Sequence, residues 1–170
     1  MKPAPGRPGP RPHIDIHMQS PLWEAQPLAD KTVRDAILAA ASTLSTAGSE
    51  VSIVLTDDSS IARLNRDWRG VDGPTNVLSF PASGRPESGD SARLLGDIVL
   101  AYETLARECE HEKRVFLHHL AHLTVHGFLH LVGYDHQTDA QAEDMERLES
   151  KIMARLNMPD PYLAHDLGDA

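Results

Sequence analysis

Val115-Phe-Leu-His-His-Leu-Ala-His-Leu-Thr-Val-His-Gly-Phe-Leu-His-Leu-Val-Gly-Tyr-Asp-His136 is the stretch on which the reading of this chain turns. Residues 115–132 contain no Asp, Glu, Lys or Arg, and by length alone they could span a bilayer. They also contain His118, His119, His122, His126 and His130, and so many imidazoles would be very costly in lipid. The spacing therefore predicts a helix buried in a globular core, apolar almost all round, with no membrane as partner. Its histidines then need a reason.

His126 and His130 stand one helical turn apart and project from the same face, so both can reach one ion. Gly133 can adopt a left-handed backbone that ends the helix and returns His136 toward the other two. Three neutral nitrogens then converge on one divalent metal and leave a fourth position for water, the layout of a catalytic zinc centre. His118, His119 and His122 read instead as hydrogen-bonded or solvated helix histidines, with His122 one turn before His126 and able to support it. The H-x3-H-x2-G-x2-H spacing is also that of metzincin peptidases, whose helix carries a general-base Glu directly after the first His. Here that position is Gly127, and the group that would take a proton from the water is missing.

Outward from this helix the chain alternates short strands and helices. Residues 13–18 place Ile14, Ile16 and Met18 on one face of a half-buried strand. Asp30 is suited to cap a helix through Val33, Ile37, Ala41 and Leu44, with Gly48 to end it. Residues 51–56 read as a strand, and Asp57 and Asp58 as the start of a helix that puts Ile61, Leu64 and Trp68 on one face. A turn at Asp72-Gly-Pro-Thr75 leads to a strand at 77–80 closed by Pro81, then a Gly, Ser and Pro-rich surface loop at 82–93 and a strand at 94–101. From Tyr102 the pattern is helical to Val132, broken near 108–114. A last helix at 138–157 aligns Met145, Leu148, Ile152 and Leu156 before Pro159 and Pro161. The expected fold is α+β: one domain over 13–164, with a small mixed sheet of about four strands packed by about five helices and the zinc site at a cleft. Residues 1–12, with five prolines and two glycines, read as a flexible tail outside it.

A chain of 170 residues, 41% hydrophobic, is the size of one domain, and its formal net charge of −9 confines any nucleic-acid contact to a local basic patch. Arg63, Arg66 and Arg69 form such a patch at helical spacing with only Asp67 among them. Lys2, Arg7 and Arg11 read as solvated tail charges. The single cysteine, Cys109, cannot make an internal disulfide, and the N-terminus has no apolar signal core, which together suggest a cytoplasmic protein.

With Leu-His-Leu-x-Gly-Tyr-Asp-His in view, the chain resembles the YbeY family of single-strand-specific endoribonucleases. Asn65-Arg-Asp-Trp-Arg-Gly70, Asp72-Gly-Pro-Thr-Asn-Val-Leu-Ser-Phe-Pro81 and Leu95-Gly-Asp-Ile98 follow the family's order, and the resemblance extends over residues 51–164. Trp68 stands where the family pattern has Tyr, which keeps an aromatic. The resemblance implies one zinc ion per chain on His126, His130 and His136, and an arginine important for activity at Arg69. It implies an α+β fold, cleavage of single-stranded RNA in maturation of the 16S ribosomal RNA 3′ end, and a part in ribosome quality control. The implied partners are the small ribosomal subunit with its RNA and an Era-type GTPase. Asp135 is open to a proton-transfer role or to orienting a histidine, Asp97 is equally open, and either water or a ribose 2′-hydroxyl could be the nucleophile. Two other classes fit less of the sequence: a metal-dependent hydrolase of a peptide or small molecule, and a ribosome-binding factor with structural zinc.

Overall fold

The computed structural model describes residues 11–44, 46, 48–82 and 93–163. The tail through residue 10, nearly all of the 82–93 loop and residue 164 lie outside them. Four strands make one sheet. Strand β1, His13–Met18, pairs in parallel with β2, Ser49–Thr56, and β2 pairs in parallel with β4, Arg93–Ala101. Strand β3, Val77–Pro81, lies antiparallel to β4 at the edge, giving the order β1-β2-β4-β3. Parallel neighbours need a crossover, and α1, Ala29–Leu44, supplies it between β1 and β2. The other helices are α2, Asp58–Arg69; α3, Tyr102–Glu112; α4, Phe116–Leu131; and α5, Asp139–Arg155. This is the α+β domain that the sequence predicts.

The period of two along the strands sorts side chains between two unequal cores. Val51, Ile53 and Leu55 of β2 and Ile98 and Leu100 of β4 belong to the larger one, with α1, α4 and α5. Val54, Val99 and Ala101 belong to a smaller cluster with Ile61 and Leu64 of α2. The charge-free stretch lies at the centre of the larger core, where Leu120, Ala121, Val125, Phe128 and Leu129 are fully buried. Each such Leu or Phe contributes roughly 1.5–3 kcal/mol. The break expected near 108–114 falls at Lys113, whose left-handed backbone (φ 55°) ends α3 with its N–H on Cys109 O.

Three local expectations are corrected. Helix α1 begins at Ala29, so Asp30 sits inside its first turn, where it accepts from Arg34 Nε at 2.8 Å rather than capping the end. The helix stops at Leu44, and Gly48, with φ 80°, shapes the turn into β2 instead. Between β1 and α1 lies an unpredicted short 3₁₀ helix, Pro21–Ala25, whose Trp23 is fully buried and donates from Nε1 to Thr56 O at 2.9 Å. The start of α2 follows expectation: Asp57 accepts from Ser60 N at 2.8 Å, and this bond holds its carboxyl below the usual range. Gly70, at φ 67°, ends α2 immediately after Arg69.

Candidate metal centre and substrate cleft

Helix α4 carries His126 and His130 on its last two turns, and the turn beyond it brings His136 back. Gly133 makes this return with φ 104°, its N–H on His130 O at 3.1 Å, while Tyr134 N reaches Leu129 O at 3.0 Å. These bonds satisfy carbonyls that the helix end leaves open. Asp135 accepts from the backbone N of His136 at 2.8 Å and so shapes the turn that returns this histidine. One ring nitrogen from each of His126, His130 and His136 lies within 4.8 Å of the others, and the Nε2 atoms of His126 and His130 are 3.1 Å apart.

A carboxylate behind the trio fixes its chemistry. Glu149 of α5 is fully buried and accepts from His126 Nδ1 at 2.7 Å, from His122 Nε2 at 2.6 Å and from the Tyr162 hydroxyl. Burial alone would raise its pKa, but the hydrogen bonds from His122 and His126, the His122 charge and the Tyr162 hydroxyl outweigh it and bring Glu149 to about 2. An ionised carboxylate only accepts, so His126 carries its proton on Nδ1 and turns the bare Nε2 toward His130. Burial, followed by the charges of His126 and His136, holds His130 below the ordinary imidazole value and favours its neutral, ligating form. Burial and then the hydrogen bond to Glu149 push Tyr162 up, so the phenol remains a donor. Three convergent imidazoles, one with its tautomer set from behind, fit a zinc-type ion.

Two of the upstream histidines, His119 and His122, bond to carboxylates. His119 is 7% exposed and its Nε2 meets Glu108 Oε1 at 2.9 Å. Glu108 also accepts from Asn76 Nδ2 at 3.0 Å, and Asn76 Oδ1 receives Val77 N at 2.7 Å where β3 begins. His122 supports the trio through the carboxylate it shares with His126. Glu149 and Tyr162 escaped the sequence reading. The signal for Glu149 was its helical phase, between Met145 and Ile152 on the buried side of α5; for Tyr162, beyond the prolines, there was none.

A cavity of about 770 Å³ opens over the three histidines. Among the described residues its walls include Arg69, Asn76, Ser79, Tyr134, Gln137 and Tyr162, so Arg69 shares one space with the trio. Its Nη1 lies 3.5 Å from Asn65 Oδ1, and Asn65 is anchored through Nδ2 to Gly73 O at 2.9 Å. Asp97 is exposed on β4 and is not among the described wall residues. Gly127 faces the sheet: a Cβ there would lie 2.9 Å from Ile98 Cγ2 and 3.1 Å from Ser79 Oγ.

The model of the family described as Endoribonuclease YbeY matches residues 17–157. The chain belongs to the YbeY family. Proteins named Endoribonuclease YbeY from Bradyrhizobium sp. (strain BTAi1) and Nitrobacter hamburgensis are each 51% identical to it, covering 90% and 89% of this chain and 94% and 82% of their own lengths. The Bradyrhizobium diazoefficiens YbeY is 49% identical over 89% of this chain and 85% of its own. A Thermotoga maritima protein of known solution structure aligns over 85% of this chain and 91% of its own at 23% identity and a TM-score of 0.47. Among the described residues no helix is long and apolar enough to cross a membrane.

Proposed function

We propose that the chain is a zinc-dependent endoribonuclease that cleaves single-stranded RNA during maturation of the 16S ribosomal RNA 3′ end and takes part in ribosome quality control. The observation that carries this reading is the shared cavity, in which three convergent imidazoles face the same space as an arginine. Family membership supplies the ribonuclease class. His126, His130 and His136 would hold one zinc ion, which when bound supplies Lewis-acid polarisation of a phosphoryl oxygen. Glu149 holds His126 in the tautomer that presents Nε2, and Tyr162 and His122 hold Glu149. Arg69 grips the scissile phosphate in two-pronged fashion and stabilises the charge that builds on its oxygens.

Gly127 counts against the peptidase alternative, because its side chain position points into Ile98 and Ser79 and has no room for a general base. The open cavity counts against a structural ion, which is normally enclosed by four protein ligands. By the same reading the small ribosomal subunit and an Era-type GTPase are partners in the cytoplasm, and residues 13–164 act as one domain with 1–12 as its tail. The test is cleavage of a defined single-stranded RNA by the purified chain, with a duplex of the same sequence as control. Cleavage should disappear with a chelator, return with zinc and be absent from His130→Ala. A chelated chain that cleaves at the parental rate would remove the metal from the reading.

A further inference from the structure

The helix that delivers Arg69 to the cavity also delivers a large apolar side chain to solvent. The sequence places Ile61, Leu64 and Trp68 on one face of this helix, and along that face Ile61 is fully buried while Trp68 is 73% exposed, more than any other large hydrophobic residue described. The indole touches the molecule edge-to-face, on the ring of Phe80 with centroids 6.1 Å apart and planes at 65°. Phe80 lies on edge strand β3 between Ser79 and Pro81, which both line the histidine cavity. Trp68 and the cavity therefore flank the same strand, and the next residue, Arg69, reaches into the cavity.

The charge around the indole departs from that of the chain. In a protein of formal net charge −9, Arg63, Arg66 and Arg69 are all exposed on α2. Asp67 offsets them weakly, 3.8 Å from Arg66, and both partners are more than half exposed. An open aromatic face beside exposed guanidinium groups is the combination that binds single-stranded nucleic acid, in which bases stack on rings while arginines track the phosphates. The continuity of this surface with the histidine cavity, through Arg69 and through Ser79 and Pro81 on either side of Phe80, favours the strand that enters the cavity as its occupant.

We propose that Trp68 is a stacking platform for one base of the RNA strand, outside the cavity, with Arg66 and Arg69 holding the phosphates that lead from that base to the three histidines. The proposal rests on the endoribonuclease reading and adds a source for its strand preference. A base paired in a duplex has both faces covered by its neighbours and cannot lie on the indole without being flipped out.

The two tryptophans make the test direct. Trp23 is fully buried, so a change in emission on adding RNA reports Trp68. The probe is a short 2′-O-methyl oligoribonucleotide, single-stranded or annealed to its complement, titrated into the full chain. Emission should be quenched by the single strand and not by the duplex. Trp68→Ala should weaken binding of the single strand about 5- to 100-fold, the range that loss of one base stack gives. Trp68→Phe should recover most of it. In cleavage assays the loss should fall on KM rather than kcat, with the melting temperature unchanged because the side chain is exposed. A parent that cleaves RNA while its emission stays silent and Trp68→Ala binds as tightly overturns the platform alone. So does a Trp68→Ala chain whose self-association changes while its RNA affinity does not. A parent that neither binds nor cleaves single-stranded RNA sinks the endoribonuclease reading, and the platform with it.

Discussion

His119 and His130 stand on the same helix and have different fates. His119 meets a carboxylate within the fold, Glu108, and its ring is closed off from the cavity. His130 meets two other imidazoles and a wall of open space. The residue type is the same and so is the element, so what separates the two is the partner each meets: a carboxylate for His119 and other imidazoles for His130. His126 falls between: one nitrogen belongs to Glu149 and the other to the trio. Carboxylates placed behind the helix thus sort its histidines into those bonded within the fold and those left facing the cavity.

The strongest way to break this contrast is to remove one histidine of each kind. The parent should bind about one zinc per chain, His130→Ala should lose it, and His119→Ala should keep it while losing about 1–3 kcal/mol of stability. Elemental analysis beside denaturant unfolding decides the matter, and equal zinc loss in both variants would erase the distinction.

Arg69 sharpens the contrast from the substrate side. Arg69→Ala should lower RNA turnover by about 10²-fold or more, with zinc content and melting temperature close to the parent's, because the side chain is exposed and its bond within the fold is a long one, 3.5 Å to Asn65 Oδ1. Arg69→Lys should recover only part, since an ammonium keeps the charge and loses the fork. Zinc loss in Arg69→Ala would make it a structural residue.

Glu149 should give a smaller effect that is confined to the metal side. Glu149→Gln keeps the shape but no longer enforces which His126 nitrogen carries the proton. Zinc affinity should fall about 10- to 100-fold, measured by competition with a chromogenic chelator. Affinity equal to the parent's would leave the carboxylate a purely packing role.

The smallest effect belongs to Glu108. Burial pushes its pKa up, yet the hydrogen bonds from His119 and Asn76 and the nearby charges outweigh it and leave the group below its ordinary value of 4.5. Its contribution is therefore fully present above that value and fades as pH falls through the lower folded value. Glu108→Gln should accordingly be less stable than the parent near neutrality, and the gap should narrow below pH 4.5. A gap that stays constant in acid would show that the charge of Glu108 is not what binds His119.

Much of this was legible in the sequence because it depends on short-range periodicity. Strand β1 showed its alternation, α4 its missing charges, and the trio its helical spacing with a glycine at the turn. Sheet order was not legible, since the pairing of β2 with β4 depends on segments some forty residues apart. Glu149 was hidden for a related reason: its meaning comes from the α4 histidines that α5 packs against, not from its own neighbours. Trp68 shares a helix face with Ile61 and Leu64, but it meets the ring of Phe80 on the edge strand β3 edge-to-face and stays largely exposed, which its own neighbours in sequence do not reveal.

Gly127 bears on what this scaffold could become. In sequence space the chain stands one substitution from the histidine-glutamate pair of a zinc peptidase helix. In the folded molecule that substitution would drive a side chain into Ile98 and Ser79, and Ser79 already donates to Gly127 O at 3.0 Å. The close seating of α4 on the sheet therefore acts as a barrier to a change of trade. A laboratory lineage selected for peptide hydrolysis would have to reshape β3 and β4 before the new glutamate could be accommodated, and intermediates along that route would lose the seating of the histidines themselves.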